Sequence, residues 1–124
     1  MHFDPRTQQA LRDAGLSTEE IESVSNDVVG AARADADALE SFFADRATVY
    51  SDMDRAHSDA EIQAHTVEYC DLYTHADDIR GYLRFDTWGV YVEGGRVLDD
   101  DLIELSLGPT VHDRVRFAPE RDRL

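Results

Sequence analysis

The stretch from Tyr82 to Phe117, YLRFDTWGVYVEGGRVLDDDLIELSLGPTVHDRVRF, decides the fold that the sequence predicts. Apolar and aromatic residues alternate there with polar ones in short runs, as they do in strands with one buried face. Turn residues separate the runs at Gly94-Gly95, at Asp99-Asp100-Asp101 and at Gly108-Pro109. These turns predict strand segments at about 82–86, 89–93, 96–99, 102–107 and 111–117. The sheet is predicted to be a four-stranded antiparallel meander, and the turn at 86–89 leaves the register of the segment at 82–86 open.

One pairing register places the apolar residues of this stretch on a single face. A two-residue turn at Gly94-Gly95 pairs Val92 with Val97, and the aspartate turn then sets Val97 opposite Ile103. A turn at Gly108-Pro109 sets Ile103 opposite Val115. The predicted buried face comprises Val90, Val92, Val97, Ile103, Leu105, Leu107, Val111 and Val115, joined by Leu83 and Phe85. The predicted polar face comprises Tyr91, Glu93, Arg96, Leu98, Glu104, Arg114 and Arg116.

Three helices are predicted before the sheet, at about 5–14, 18–45 and 59–79. Asp4 before Pro5 predicts the first helix start, and Ser17-Thr18-Glu19-Glu20 is a capping box for the second. A further capping box opens the third helix, after an irregular link from Arg46 to His57. The expected fold class is therefore α+β, a single domain over 1–124 with three N-terminal helices packed on the sheet and a tail at 119–124.

The charge is strongly acidic. Asp plus Glu total 27 against 12 cationic side chains, giving a net charge of −15, and all 12 are Arg. Such a surplus repels itself at ordinary ionic strength, whereas molar salt shortens the screening length to about 3 Å. GC-rich coding also replaces Lys with Arg, but it does not explain why Asp outnumbers Glu by 18 to 9. We interpret the composition as an adaptation to a salt-rich cytoplasm.

Several functional classes are disfavoured by the same sequence. No apolar run approaches the roughly 18 residues of a membrane helix, and no signal peptide is recognised, so we expect a soluble cytoplasmic protein without a membrane partner. Cys70 is the only cysteine, which excludes an intrachain disulfide and a Cys-rich zinc site. Residues 10–21 resemble a helix–turn–helix corner, but Glu19, Glu20 and Glu22 would repel phosphates, so no nucleic-acid partner is expected.

Two groups of residues are candidate sites. On the polar sheet face, Arg96, Arg114 and Arg116, with apolar area from Tyr91 and Leu98, predict a docking surface for an acidic protein partner, a second copy or an anion. The alternative is that these arginines only form cross-strand ion pairs, such as Glu104 with Arg114.

On the predicted third helix, Glu61, His65 and Glu68 share one face and are candidate metal ligands. The alternative is an ordinary solvated helix face. Asp99-Asp100-Asp101 lacks the spacing of an EF-hand, so we expect only loose monovalent cations there. No cofactor is expected.

The segment VYVEGGRVLDDDLIELSLGPTVHDRVRF, at 90–117, resembles a family of small acidic single-domain proteins of halophilic archaea that has no assigned activity. The resemblance implies an origin and a location but no mechanism. We therefore predict a non-enzymatic interaction or self-association module that works through the polar sheet face, with a homodimer or an acidic protein as the partner. The alternative is a small metal- or anionic-ligand-binding protein that uses Glu61, His65 and Glu68.

The acid surplus predicts that the melting temperature rises steeply between low and molar KCl, because screening removes self-repulsion in the folded state. Circular dichroism melts across a KCl series measure this dependence. A melting temperature that stays constant from about 0.1 M to molar KCl would contradict the interpretation, since the screening length falls from about 10 Å to about 3 Å over that range.

Overall fold

Two helices precede six antiparallel strands in the computed structural model, which describes residues 2–53, 62–108 and 113–124. The helices are α1 (Pro5–Asp13) and α2 (Thr18–Ala44), and a 3-10 turn follows the strands at Arg121–Arg123. The strands are β1 (Thr48–Ser51), β2 (Gln63–His75), β3 (Asp78–Phe85), β4 (Gly89–Asp99), β5 (Leu102–Gly108) and β6 (Asp113–Ala118). Because β1 pairs with both β2 and β6, the six strands close into a barrel.

Both helices begin at capping residues. The Thr7 backbone N–H donates to Asp4 Oδ1 at 2.7 Å, and this bond lowers the pKa of the Asp4 carboxyl. The capping box predicted at the start of α2 is present, since the Glu20 N–H donates to Ser17 Oγ and the Ser17 N–H donates to Glu20 Oε1. These bonds satisfy N–H groups that a helix start leaves without intrahelical partners. Neither helix in the described part of the chain combines the length and the apolarity needed to cross a membrane.

The predicted third helix, at about 59–79, is wrong. Gln63–His75 form β2 and the residues after the next turn form β3. A β-bulge between Val67 and Tyr69 shifts the inward and outward alternation by one residue, so the strand has no single two-residue period along its length. Strand preference of its Val, Thr and Tyr residues agrees with the structure. Residues 59–61 lie outside the described residues.

The predicted four-stranded sheet is also wrong, because the described chain contains six strands. The segment predicted as an irregular link supplies β1, which pairs Tyr50 with Ala118 and Ser51 with Phe117. The segments predicted as separate strands at 89–93 and 96–99 form one continuous strand, β4. Strand closure between β1 and β6 depends on residues that are far apart in sequence, which local pattern does not reveal.

Gly94-Gly95 is not a hairpin turn, because β4 runs through it. A register irregularity lies between Val92 and Gly94. A Cβ on Gly95 would lie 2.8 Å from Leu39 Cδ1 and 2.8 Å from Leu105 Cδ2. The glycine at position 95 therefore allows α2 to approach the inner face of β4 closely.

The observed register keeps the predicted faces but differs in its pairing. Val97 lies opposite Ile103, as the sequence predicts. The register between β5 and β6 is shifted by two residues from the predicted one. Ile103 lies opposite Phe117, where the prediction had Val115, and Leu105 lies opposite Val115. A shift of two residues returns every side chain to the same face, so the buried set is preserved.

The core lies between the inner face of the barrel and the C-terminal half of α2. Every predicted member of the buried face that the structure describes is buried, except Val97, which is 41% exposed; Val111 lies outside the described residues. From α2, Leu39, Phe42 and Phe43 enter this core, and the Phe43 ring lies 5.3 Å from that of Phe117.

The pairing of β1 with β2 ends at Thr66, and α2 contacts β2 beyond that point. There Glu40 Oε1 accepts a hydrogen bond from the Leu72 N–H at 2.5 Å. The helix thus covers the inner face of β2, β3 and β4 and also satisfies a backbone donor of β2.

A matched pair of glycine substitutions tests this contact. Gly95→Ala is expected to destabilise the protein by about 1–3 kcal/mol, because the added methyl group overpacks the space between Leu39 and Leu105. Gly30→Ala, at an exposed helical position with nothing within 4 Å of the new Cβ, is expected to stabilise it by about 0.5–1 kcal/mol. Chemical denaturation in high salt measures both, and a Gly95→Ala variant as stable as the parent would contradict the close approach of α2.

Candidate functional site

The structure brings Arg96 and Arg114 together on the outer surface of the barrel. They line a shallow depression of about 180 Å³ with Gly95, Glu104 and Ser106. Arg96 Nε donates to Glu104 Oε1 at 3.0 Å. Because the Glu104 carboxylate pairs with Arg96 in this depression, the depression offers an anion less positive charge than the sequence alone indicates.

Arg116 joins two strands. Its Nε donates to Asp52 Oδ2 at 2.9 Å, and its backbone N–H donates to Asp52 Oδ1 at 2.8 Å. Asp52 directly follows β1, so these bonds lie where β1 and β6 close the barrel. The geometry gives Arg116 a role in strand closure.

Tyr91 and Leu98 do not form one apolar patch. Both are exposed, but they lie seven residues apart on the same strand. At about 3.3 Å per residue, their Cα atoms are on the order of 20 Å apart. The surface predicted from the sequence is therefore divided, and Tyr91 belongs to a different group of residues from Leu98.

That group is a surface of four tyrosines on the outer side of β2, β3 and β4, here called the tyrosine face: Tyr69, Tyr73, Tyr82 and Tyr91. The rings of Tyr82 and Tyr91 meet edge to face, with centroids 5.3 Å apart, and those of Tyr69 and Tyr82 are 6.3 Å apart. Tyr69, Tyr73 and Tyr91 are 46%, 62% and 60% exposed. A Cβ on Gly89 would collide with the Tyr82 ring, so this glycine lets the ring lie flat across β4.

Charged residues of both signs lie among these rings. Cross-strand pairing places Arg84 beside Tyr69, Arg80 beside Tyr73, and Asp71 beside Tyr82. Arg84 Nε also lies 3.6 Å from Glu68 Oε2. The tyrosine face is thus an aromatic surface with two guanidinium groups and at least two carboxylates within it.

Sequence reasoning found only Tyr91 of this surface. Tyr69 and Tyr73 lie within the segment predicted as the third helix, and Tyr82 begins the strand predicted at about 82–86. A signal for the true structure exists in residues 69–74, where Tyr69, Asp71 and Tyr73 alternate with Cys70, Leu72 and Thr74.

The candidate metal ligands do not share one helix face, because residues 63–75 form β2 and not the predicted third helix. His65 is buried inside the barrel, where its ring stacks on Phe85 at 4.5 Å and its Nε2 lies 2.6 Å from Ser51 Oγ. Glu68 lies on the outer surface, and Glu61 lies outside the described residues. Among residues 2–53, 62–108 and 113–124, no group of three His, Cys, Asp or Glu side chains is arranged to hold a metal ion.

Two of the three aspartates at 99–101 have arginine partners. Asp101 Oδ1 lies 3.2 Å from Arg46 Nη2, and Asp99 Oδ2 lies 3.6 Å from Arg123 Nη2. These ion pairs reduce the negative charge that would attract a cation to this turn.

Cys70 lines a cleft of about 460 Å³ between the end of α2 and β2, together with Glu40, Phe43, Arg46 and Tyr69. Burial, followed by the nearby carboxylates of Glu40 and Asp71, raises the pKa of the Cys70 thiol to about 12. Because the thiolate is the nucleophilic form, Cys70 is not an activated nucleophile at neutral pH.

These features define a small α+β protein, in which a long helix covers one side of a closed six-stranded sheet and an exposed tyrosine surface occupies the other. The chain belongs to the family of unknown function DUF7532, whose model matches residues 1–122. Comparison with curated proteins gives no match, and comparison with solved structures gives none.

The high pKa of Cys70 predicts slow alkylation. At pH 8 a thiol with a pKa of about 12 is ionised in roughly one molecule in ten thousand, against about one in ten at the ordinary value of 9.0. We expect iodoacetamide to modify the folded protein roughly a thousandfold more slowly than the urea-unfolded chain. Mass spectrometry measures both rates, Cys70→Ser is the blank, and equal rates would contradict the buried environment of the thiol.

Proposed function

We propose that this protein is a non-enzymatic self-association module and that the tyrosine face is its contact surface. The observation that carries the proposal is the contact between the Tyr69, Tyr82 and Tyr91 rings across three strands. The proposed homodimer is the one expected from the sequence, but its contact surface is centred on the tyrosine face and not on Leu98, Arg96 and Arg114.

Tyrosine is suited to this role for physical reasons. It is enriched in protein interfaces and supplies a large contact area with few rotatable bonds, so little conformational entropy is lost on binding. Here the rings are carried by paired strands, and Tyr82 is held against both of its neighbours. A second copy therefore meets a surface that is already ordered, which lowers the cost of association.

The charges on the face favour a second copy over an uncharged partner. Two copies with a net charge of −15 each repel one another in dilute salt. Arg80 and Arg84 supply local positive charge that acidic groups of the other copy can pair with. Molar salt screens the remaining repulsion and strengthens apolar burial, so we expect association to increase with KCl concentration.

The proposed setting is a salt-rich cytoplasm. The 18 Asp residues, the absence of Lys and the resemblance to acidic proteins of halophilic archaea support this setting. An acid-rich surface keeps a protein soluble where apolar association is strengthened by salt. Self-association under these conditions then requires a defined aromatic surface such as the tyrosine face.

Sedimentation velocity in molar KCl tests the proposal. We expect the parent protein to dimerise at tens of micromolar and the double variant Tyr69→Asp with Tyr91→Asp to be monomeric, because carboxylates replace exposed aromatic area without touching the core.

Leu98→Asp is the matched control, since Leu98 is exposed on the same strand but far from the tyrosine face. It should dimerise like the parent, and all variants should retain the parent circular dichroism spectrum. A monomeric parent, or a dimer that only Leu98→Asp disrupts, would overturn the proposal.

A further inference from the structure

The outer side of β2, β3 and β4 forms a small grid of side chains whose charges are not symmetric. Cross-strand pairing fixes its rows. Read from β2 through β3 to β4, the first row is Tyr69, Arg84 and Gly89, and the second row is Asp71, Tyr82 and Tyr91. The third row is Tyr73 and Arg80, and Glu93 lies two residues after Tyr91 on β4. Tyr82 is the centre, and the two arginines lie on either side of it along β3.

A symmetric dimer that buries this grid has a two-fold axis in the plane between the two faces. An axis parallel to the strands places Arg80 against Arg80 of the other copy and Arg84 against Arg84. An axis perpendicular to the strands places Arg80 against Arg84. Like charges in direct opposition cost several kcal/mol across an interface, so both arrangements are unfavourable.

A diagonal axis that passes over Tyr73, Tyr82 and Gly89 removes these clashes. It places Arg80 of each copy against Asp71 of the other. It also places Arg84 of each copy over the Tyr91 ring of the other, an arrangement suited to a cation–π contact. Tyr82 meets Tyr82 on the axis, where each Tyr82 ring lies over Gly89 of its own copy.

The second diagonal, over Tyr69, Tyr82 and Glu93, is less favourable. It pairs Asp71 with Arg84, which already has Glu68 at 3.6 Å. It also places Arg80 against Tyr91 of the other copy, so that Arg84 gains a second carboxylate and Arg80 gains none. The charges therefore select the first diagonal.

We infer that two copies of this chain dock through their tyrosine faces with their strands crossing at about a right angle, joined by two Arg80–Asp71 contacts and two Arg84–Tyr91 contacts. Orthogonal crossing is one of the two common ways in which sheets pack face to face. The inference rests on the proposed self-association and specifies which surface residues of the second copy each arginine recognises.

Charge reversal tests the arrangement through mixtures. Asp71→Arg and Arg80→Asp are made separately, and each is expected to weaken its own homodimer by roughly tenfold or more, because like charges then face one another. In a mixture of the two variants both contacts are again between opposite charges. We therefore expect heterodimers to form preferentially, with an affinity close to that of the parent.

Arg84→Asp mixed with Asp71→Arg is the matched control and should give no preferential heterodimer, because position 84 faces Tyr91. Native mass spectrometry distinguishes the species by mass, and sedimentation at the lowest KCl concentration at which the parent protein dimerises measures their affinities. Two outcomes would overturn the inferred arrangement. One is a preferential heterodimer in the mixture that contains Arg84→Asp, and the other is the absence of a preferential heterodimer in both mixtures.

Failure of the arrangement and failure of the proposed function give different results. If the tyrosine double variant is monomeric but no mixture forms preferential heterodimers, the dimer surface is correct and its axis is wrong. If the parent itself is a monomer, or if it binds single-stranded nucleic acid on the tyrosine face in place of a second copy, the proposed function and the arrangement both fail.

Discussion

The packing of the last turns of α2 onto the inner face of the sheet is the contact on which the other features of this structure depend. Leu39 and Phe43 are buried there, and Leu39 reaches β4 because position 95 has no side chain. The same helix satisfies the Leu72 N–H of β2 through Glu40. Since α2 covers one face of β2, β3 and β4, the other face is left to water, and that is where the tyrosines lie.

Apolar burial, rather than surface charge, is what stabilises this fold. The described ion pairs, such as Arg116 with Asp52 and Arg96 with Glu104, are solvent-exposed on at least one side. Pairs of this kind contribute well under about 1 kcal/mol each and less in molar salt. Large buried side chains such as Phe43, Phe85 and Phe117 each contribute roughly 1.5–3 kcal/mol by transfer from water. A chain with this acid surplus can therefore keep its fold in concentrated salt.

The packing of α2 also places two reactive side chains away from the tyrosine face. His65 lies inside the barrel against Ser51 and Phe85, and Cys70 is a protonated thiol in the cleft beside α2. The exposed chemistry of the tyrosine face consists of phenol rings and guanidinium groups, which are enriched in protein interfaces, together with carboxylates. The proposed self-association follows from this division between the buried and the exposed side.

The sequence by itself determined the features that depend on near neighbours along the chain. Ser17 and Glu20 cap α2 within one turn, and the alternation of Ile103, Leu105 and Leu107 marks a buried strand face. Tertiary structure decided what depends on distant residues. The bulge after Val67 interrupts the two-residue alternation by which β2 could be recognised in the sequence. β1 is a strand because it pairs with β6, and Gly95 lies inside β4, where α2 packs against it. Local hydrogen bonds and periodicity are encoded over a few residues, whereas strand closure and the choice of the exposed face depend on contacts between segments that are far apart in the chain.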